Sequence, residues 1–418
     1  VAPHAAATRT GHQAQRTVVN PGDTDADVVT AFHPDSESER TLLYGTNHVE
    51  IQPSSSASNL FGSSQTYTFS NDVDAIGDVY ARIELTVDTS TGTDVKFLGV
   101  RAIKRCEVMV GNSTWQTLEN ADIMSLLTTT LDSASFERLK ETSSKVGPSA
   151  DSPSVPADPD GDSQKIVCYV PLKIFTAGGP SRAHLTAGAP HQSFRIKLSF
   201  QEQATLQADS GVTAADSLSC KLFARQHIMT NFERDQIRAN TIAKTLHLTQ
   251  HAEKSFQLSA TAGTVASIDV ELDSFSLLAS HLLIGFDPIG VDGSTSTSVV
   301  DFLDSAELLL NTSSHSGELD GEFLTTVALT DMGLVPNYKP SDSSTHSTLS
   351  NLAVFPIASK AYGPDGCPLN RFDTIRLKLK YRSGGALSTA TNLKVSVTCV
   401  GTASAIYSKQ AASLQYHS

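Results

Sequence analysis

Two eight-residue windows of the chain alternate strictly between apolar and polar or charged side chains. They are Ser193 to Phe200 (Ser-Phe-Arg-Ile-Lys-Leu-Ser-Phe) and Thr374 to Tyr381 (Thr-Ile-Arg-Leu-Lys-Leu-Lys-Tyr). A period of two predicts a half-buried β-strand in each. The likeness extends upstream: Cys106 to Gly111 and Ala306 to Asn311 each place an acid before three apolar residues and a turn residue. An amphipathic stretch follows in both places, over Asn120 to Lys140 and Gly317 to Met332. Val167 to Leu172 and Leu352 to Ile357 are both apolar runs with a proline next to last. Three matched segments in the same order predict two β-domains of like layout.

The other strands are short and are separated by clusters of Ser, Gly, Asn and Asp. In the first half they are Thr41 to Gln52, Gln65 to Phe69, Val79 to Val87, Ile103 to Val110 and Leu218 to Phe223. In the second half they are Phe256 to Ala260, Ser267 to Leu272, His281 to Phe286, Ala306 to Leu310 and Leu393 to Val400. Seven or eight strands per half is the number used by a sandwich or jelly roll. Asn120 is expected to cap a helix with Ile123, Leu126, Leu127 and Leu131 on one face and Phe136 and Leu139 farther on. The predicted organisation is an N-terminal arm over 1–40, a first roll over 41–224, a structured connector over 225–250 and a second roll over 251–418.

The chain has 418 residues, enough for two domains of about 200 residues each. Its formal net charge of -13, from 44 acids against 31 bases, argues against a broad nucleic-acid-binding face. Arg9 and Arg16 give the arm a local basic bias, read as a solvated tail. The five cysteines, at 106, 168, 220, 367 and 399, have no disulfide-framework or metal-site spacing and are expected as reduced core residues. No run approaches the roughly 20 apolar residues of a membrane span, and the first ten residues lack a signal-peptide core. A soluble, non-secreted product is the expectation. Asn112 and Asn311 open glycosylation sequons just after strand runs.

Chemistry is sparse. His247 and His251 would share a helix face, but Leu248 stands where a metalloprotease has its acid, and His315 with Glu318 lacks a third ligand. Asp158, Asp160 and Asp162 alternate like the start of a calcium loop, yet the twelfth position would be Tyr169 inside an apolar run. No phosphate-binding glycine loop or nucleophile elbow is present. The reading is non-enzymatic, with no cofactor and no metal. Trp115 is read as a wedge between helix and sheet at a turn, with a sugar-stacking role as the alternative.

The duplicated pattern resembles the double jelly-roll major capsid proteins of nucleocytoplasmic large DNA viruses, with more distant relatives among tailless phage coats and adenovirus hexon. Ala102 to Gly111, followed by Trp115 and the Asn120 helix, looks like the family's strand, polar turn and helix. Lys165 to Phe175 is similar to its Tyr-Val-Pro-Leu strand. Phe232, Glu233 and Arg234 look like its connector between rolls. Gly366 to Leu377 resembles its Asn-Phe-Ser-Arg-Ile-Asp segment, with Asn370, Arg371 and Asp373 one residue tighter than usual. The resemblance covers about residues 41 to 410.

It implies two tandem eight-stranded antiparallel jelly rolls and a homotrimer forming a pseudo-hexagonal capsomer. Neighbouring capsomers and minor capsid and penton proteins would be partners, with no direct nucleic acid and any inner-membrane contact made through other proteins. The place is the virion shell, assembled in the host cell cytoplasm. The loops at 143–163, 177–190, 288–298 and 337–350 would crown the outer surface. Glu233 with Arg234 is expected as an ion pair locking the rolls, or as a solvated pair. A tandem β-sandwich adhesin or carbohydrate-binding protein, and a pentameric penton protein, are the alternatives. Six per cent aromatic residues and unpaired cysteines speak against the adhesin.

Overall fold

The computed structural model describes residues 45–54, 57–70, 73–87, 98–131, 135, 164–176, 183–210, 215–257, 265–289, 303–334, 352–361, 365–382, 392–408 and 410–416. The first half contributes β1 (Gly45–Ile51), β2 (Ser64–Thr68), β3 (Ala75–Val87), α1 (Leu98–Ala102), β4 (Ile103–Val110), β5 (Ser113–Glu119) and α2 (Asn120–Thr130). It continues with β6 (Gln164–Leu172), β7 (Phe194–Phe200), α3 (Gln203–Ser210) and β8 (Ala215–Ile228). The helix α4 (Asn231–Ala239) leads into the second half, which opens with β9 (Ile242–Gln257), β10 (Val265–Glu271), β11 (Leu278–Ile289) and β12 (Leu303–Leu310). Then come β13 (Ser313–Ser314), β14 (Leu319–Asp320), α5 (Gly321–Thr325), α6 (Val327–Asp331) and β15 (Leu352–Pro356). The last elements are β16 (Cys367–Pro368), β17 (Ile375–Arg382), β18 (Asn392–Ser408) and β19 (Ala411–Gln415).

The first half forms two antiparallel sheets ordered β1-β8-β3-β6 and β2-β7-β4-β5. That order is the jelly-roll winding, in which the strands of successive pairs fall into opposite sheets. The second half repeats it. One sheet runs β9-β18-β11-β15, with β19 on β18 and β16 on β11; the other runs β10-β17-β12-β13, with β14 on β12. All three matched segments of the sequence occupy matched strands, namely β7 with β17, β4 with β12, and β6 with β15.

The match holds at the level of single residues. Val108 faces Ile196 across β4 and β7, and Leu308 faces Leu377 across β12 and β17. On the outer side, Glu107 faces Lys197 and Glu307 faces Lys378 in the same registers. The alternation therefore sends Phe194, Ile196 and Leu198 inward in one roll and Ile375, Leu377 and Leu379 inward in the other, all fully buried. A single contiguous apolar cluster takes in the cores of both rolls.

Several expectations are corrected. The connector between sheets is shorter than 225–250: β8 runs on through Arg225 to Ile228, and β9 begins at Ile242. Phe256 closes β9 rather than opening a strand of its own. Asn120 is not the cap of α2. Glu119 holds that position, its backbone N–H bonded to Asp122 at 2.8 Å, while Asn120 Nδ2 donates to the carbonyls of Val100 and Ile103. The second amphipathic stretch splits at Thr326 into α5 and α6.

Trp115 lies within β5 and is buried, so it is a core residue rather than a turn residue. His247 and His251 sit on β9, where a spacing of four still gives one face because the period is two. Residues 183–189, expected at the outer surface, are buried throughout. The arm, the Asp158 to Asp162 run, Phe136, Leu139 and the 337–350 loop lie outside the described residues.

Leu377→Ala leaves a void in the inner row of β17 and should lower the unfolding free energy by about 2–5 kcal/mol in urea titrations. The matched Ile196→Ala in β7 should cost a similar amount.

Candidate functional site: the seam between the rolls

The residues that bring the two halves together come from β5, α2, the turn at Ile174–Thr176 and the 183–189 segment of the first roll. They meet β9, β18 and β11 of the second. At the centre stands Asp122, in the first turn of α2 and with no exposed surface. Its Oδ2 accepts the Glu119 N–H, and its Oδ1 accepts from His251 Nδ1 at 2.8 Å and from the Thr398 hydroxyl. His251 and Thr398 are register partners on β9 and β18, so one carboxylate of the first roll bridges two strands of the second. A buried carboxylate is tolerated only when its lone pairs are filled in this way. Burial alone would push the His251 imidazole down, but the hydrogen bond and charge of Asp122 outweigh it and hold the ring above its ordinary value.

A second contact lies one pleat away. Gln116 on β5 donates through Nε2 to Thr249 Oγ1 at 2.9 Å, and its Oε1 accepts the Phe175 N–H at 2.8 Å. Phe175 adopts a left-handed φ of 54°, which the hydrogen bond and its packing hold in place.

Third, Tyr407 of β18 reaches across to the first roll. Its Oη accepts the Leu185 N–H at 3.3 Å and shares a hydrogen bond with His184 Nδ1 at 3.0 Å. His184 stacks on Phe194 with ring centroids 4.8 Å apart, and the edge of Trp115 meets it at 5.5 Å. Gly188 admits the tyrosine ring, since a Cβ there would lie 2.9 Å from Tyr407 Cδ1. Lys244, buried on β9, donates to the carbonyl of Ala183. Near the edge, Gln192 Oε1 accepts the Ala412 N–H at 2.7 Å.

Burial drives the charges of these groups. It pushes His184 and His281 down to about 3, helped by the charges of Lys244 and His247 respectively, and His227 down to about 4 with help from Arg225. Lys244 is pushed well below the ordinary lysine value. The thiols of Cys168 and Cys220 are pushed up to about 12 by burial, which makes them poor nucleophiles. Among the described residues no cluster of His, Cys, Asp or Glu could hold a metal ion, and no helix is long and apolar enough to cross a membrane.

The residues singled out in the sequence are placed as follows. Arg234, in α4, pairs with Asp74 at 2.6 Å through Nε and 2.9 Å through Nη2, and Asp74 Oδ2 also accepts the Met229 N–H. The carboxylate that meets Arg234 thus lies just before β3. The side chains of Phe232 and Glu233 lie outside the described residues. Asn370 and Arg371 form a 3₁₀ turn leading to β17, and the N–H of Asp373 is bonded to Asn311 Oδ1 at 2.9 Å. None of the seam bonds described above uses these three.

Asp122→Ala strands His251 and Thr398 at a buried place and should cost about 3–5 kcal/mol in urea unfolding. Arg105→Ala, which breaks an exposed pair with Glu119, should stay within about 1 kcal/mol. Acid should also loosen the fold. Between pH 6.5 and about 4 the unfolded chain protonates His184, His227 and His281 while the folded chain does not, so stability falls as pH falls. Each group contributes about 1.4 kcal/mol per pH unit. His251, raised in the folded state, adds stability that is present below pH 6.5 and lost as pH rises through its folded value. Thermal midpoints measured from pH 7 to 4.5 should drop steadily, and His184→Phe should flatten the slope by one proton.

No protein-family profile matches the chain, and no curated protein matches it. Solved structures do. VP54 of PBCV-1, in a structure fitted into a cryo-EM reconstruction of the virophage Sputnik, is 14% identical with a TM-score of 0.72, covering 91% of this chain and 98% of that one. The Faustovirus major capsid protein is 10% identical with a TM-score of 0.58, covering 96% and 97%. The mavirus major capsid protein is 11% identical with a TM-score of 0.56, covering 89% and 90%. At such identities the likeness speaks for the fold: the chain has the double jelly-roll fold of these capsid proteins.

Proposed function

We propose that the chain is a major capsid protein, the structural subunit of an icosahedral shell. The observation that carries this reading is the buried seam. It joins two rolls of one topology into a unit with a single continuous core, in the fold of viral major capsid proteins. A subunit with two like rolls has a direct geometric use: three copies around a threefold axis present six similar walls, which pack as a hexagon. Function here is assembly and requires no bond-making chemistry.

In this reading the Asp74–Arg234 pair fixes α4 against the first roll, so the two rolls keep one relative position through assembly. Neighbouring capsomers and minor capsid and penton proteins are the proposed further partners, within virions assembled in the host cell cytoplasm. The chain's net charge of -13 would keep finished particles apart in dilute salt.

Light scattering on the purified full chain should give one species at three times the 44.4 kDa subunit. A stable single chain across micromolar concentrations would contradict the proposal, and a five-chain species would reassign the protein to a vertex.

A further inference from the structure

The two rolls differ in one respect that their shared topology does not require. In the second roll, the sheet β9-β18-β11-β15 is buried on both faces: Leu246–Thr249, His281–Ile284 and Val395–Val400 are buried at every residue. Successive strand residues point to opposite sides, so such runs mean that each side is covered. The inner side lies on the core of the second roll, and the outer side, which carries Thr249, His251 and Thr398, lies under β5 and α2 of the first. Among the described residues, the matching sheet of the first roll, β1-β8-β3-β6, has no such cover. Along β3, Ala81, Ile83 and Leu85 are buried while Arg82, Glu84 and Thr86 are partly open. Tyr169 on β6 is 53% exposed and lies beside the half-buried Phe223, with ring centroids 6.4 Å apart.

The repeated prolines put the two sheets in register. Pro171 and Pro356 are matched residues of β6 and β15, so Tyr169 matches Val354. Across the second roll, the row through Val354 is Val354, Leu283, Thr398 and His251. That row is the one that receives Asp122 from α2. Across the first roll, the matched row is Tyr169, Arg82 and Lys221. It is open, and it offers an aromatic ring and two cations. Each cation is held by an acid of its own sheet, Glu84 at 2.7 Å and Glu50 at 3.1 Å, and the lysine side chain is 53% exposed.

The elements that supply the cover in the first roll have counterparts in the second. Strands β13 and β14 stand in the place of β5, and α5 and α6 in the place of α2. Just as α2 carries Asp122 in its first turn, α5 carries the exposed Glu322. The outward side of α6 presents Val327, 46% exposed, next to Thr326 and Thr330.

We propose that the open face of the β1-β8-β3-β6 sheet is the docking surface for α5, α6 and the β13–β14 hairpin of a second copy of this chain, with Glu322 directed at the Arg82–Lys221 row. The contact between chains thereby repeats the seam within the chain. Continuity with the seam and the opposed charges of Glu322 and the two cations identify the occupant as a second copy. The contact is head-to-tail, using different surfaces on the two partners, and such contacts close into rings when the rotation allows. This assignment rests on the capsomer reading and adds to it which faces meet.

The test uses the full chain and its mass in solution. Tyr169→Asp and Glu322→Arg, both at exposed positions, should each reduce a three-chain species to single chains, an about threefold fall in mass, with far-ultraviolet circular dichroism unchanged. Lys221→Glu should do the same alone, and Lys221→Glu combined with Glu322→Arg should restore the three-chain mass. Val265→Glu, at a site 49% exposed on β10 and apart from both surfaces, should leave it intact. If the unaltered chain is trimeric and the Tyr169 and Glu322 variants stay trimeric, the docking surface is wrong while the capsomer reading stands. If the unaltered chain never associates, the reading itself falls, and the docking surface with it.

Discussion

The buried carboxylate of Asp122 is the constraint around which the two rolls are arranged. It cannot be left without partners away from water, and it finds them on two strands of the other roll and on the N-terminus of its own helix. Those bonds need His251, Thr398 and Glu119 in one place together, which fixes α2 against β9 and β18. Gln116, Tyr407 and Lys244 then fix the remaining directions along the same seam. Apolar contact alone would allow the rolls to slide over one another; a saturated set of directional bonds allows one position.

A seam made from buried polar groups costs desolvation energy that a purely apolar one would avoid, so its value lies in geometry rather than in gross stability. A shell subunit, the role proposed for this chain, would need that geometry. Errors in the angle between two walls of a capsomer would be repeated at every contact in a lattice. The same groups also tie the fold to pH, because imidazoles kept neutral by burial favour the unfolded chain in acid.

Much of the fold was legible in the sequence because its strongest signal is periodic and repeated. The alternation in Phe194–Phe200 and Ile375–Arg382 reports burial on one side only, and the matched proline-bearing runs mark β6 and β15. What stayed hidden were the contacts between rolls. Asp122 reads as an ordinary acid of a first helical turn, and nothing local says that its partner lies 129 positions away. Arg234 was visible as a connector residue, but the carboxylate that meets it, Asp74, sits in a turn with no pattern of its own. The 183–189 segment is rich in small residues and looks like a surface loop, yet small residues also suit close packing under Tyr407. Lys244 does carry a signal in the sequence: it shares strand parity with Ile242, Leu246 and Leu248, which marks it as a lysine on an inward face.

Imaging of the purified assembly by cryo-electron microscopy tests the account most directly, because it shows both the number of rolls and their arrangement. The account predicts a threefold particle with a hexagonal outline, six similar lobes seen down the axis, and the within-chain and between-chain seams alike in width. Isolated two-lobed particles, or a ring with fivefold symmetry, would contradict it.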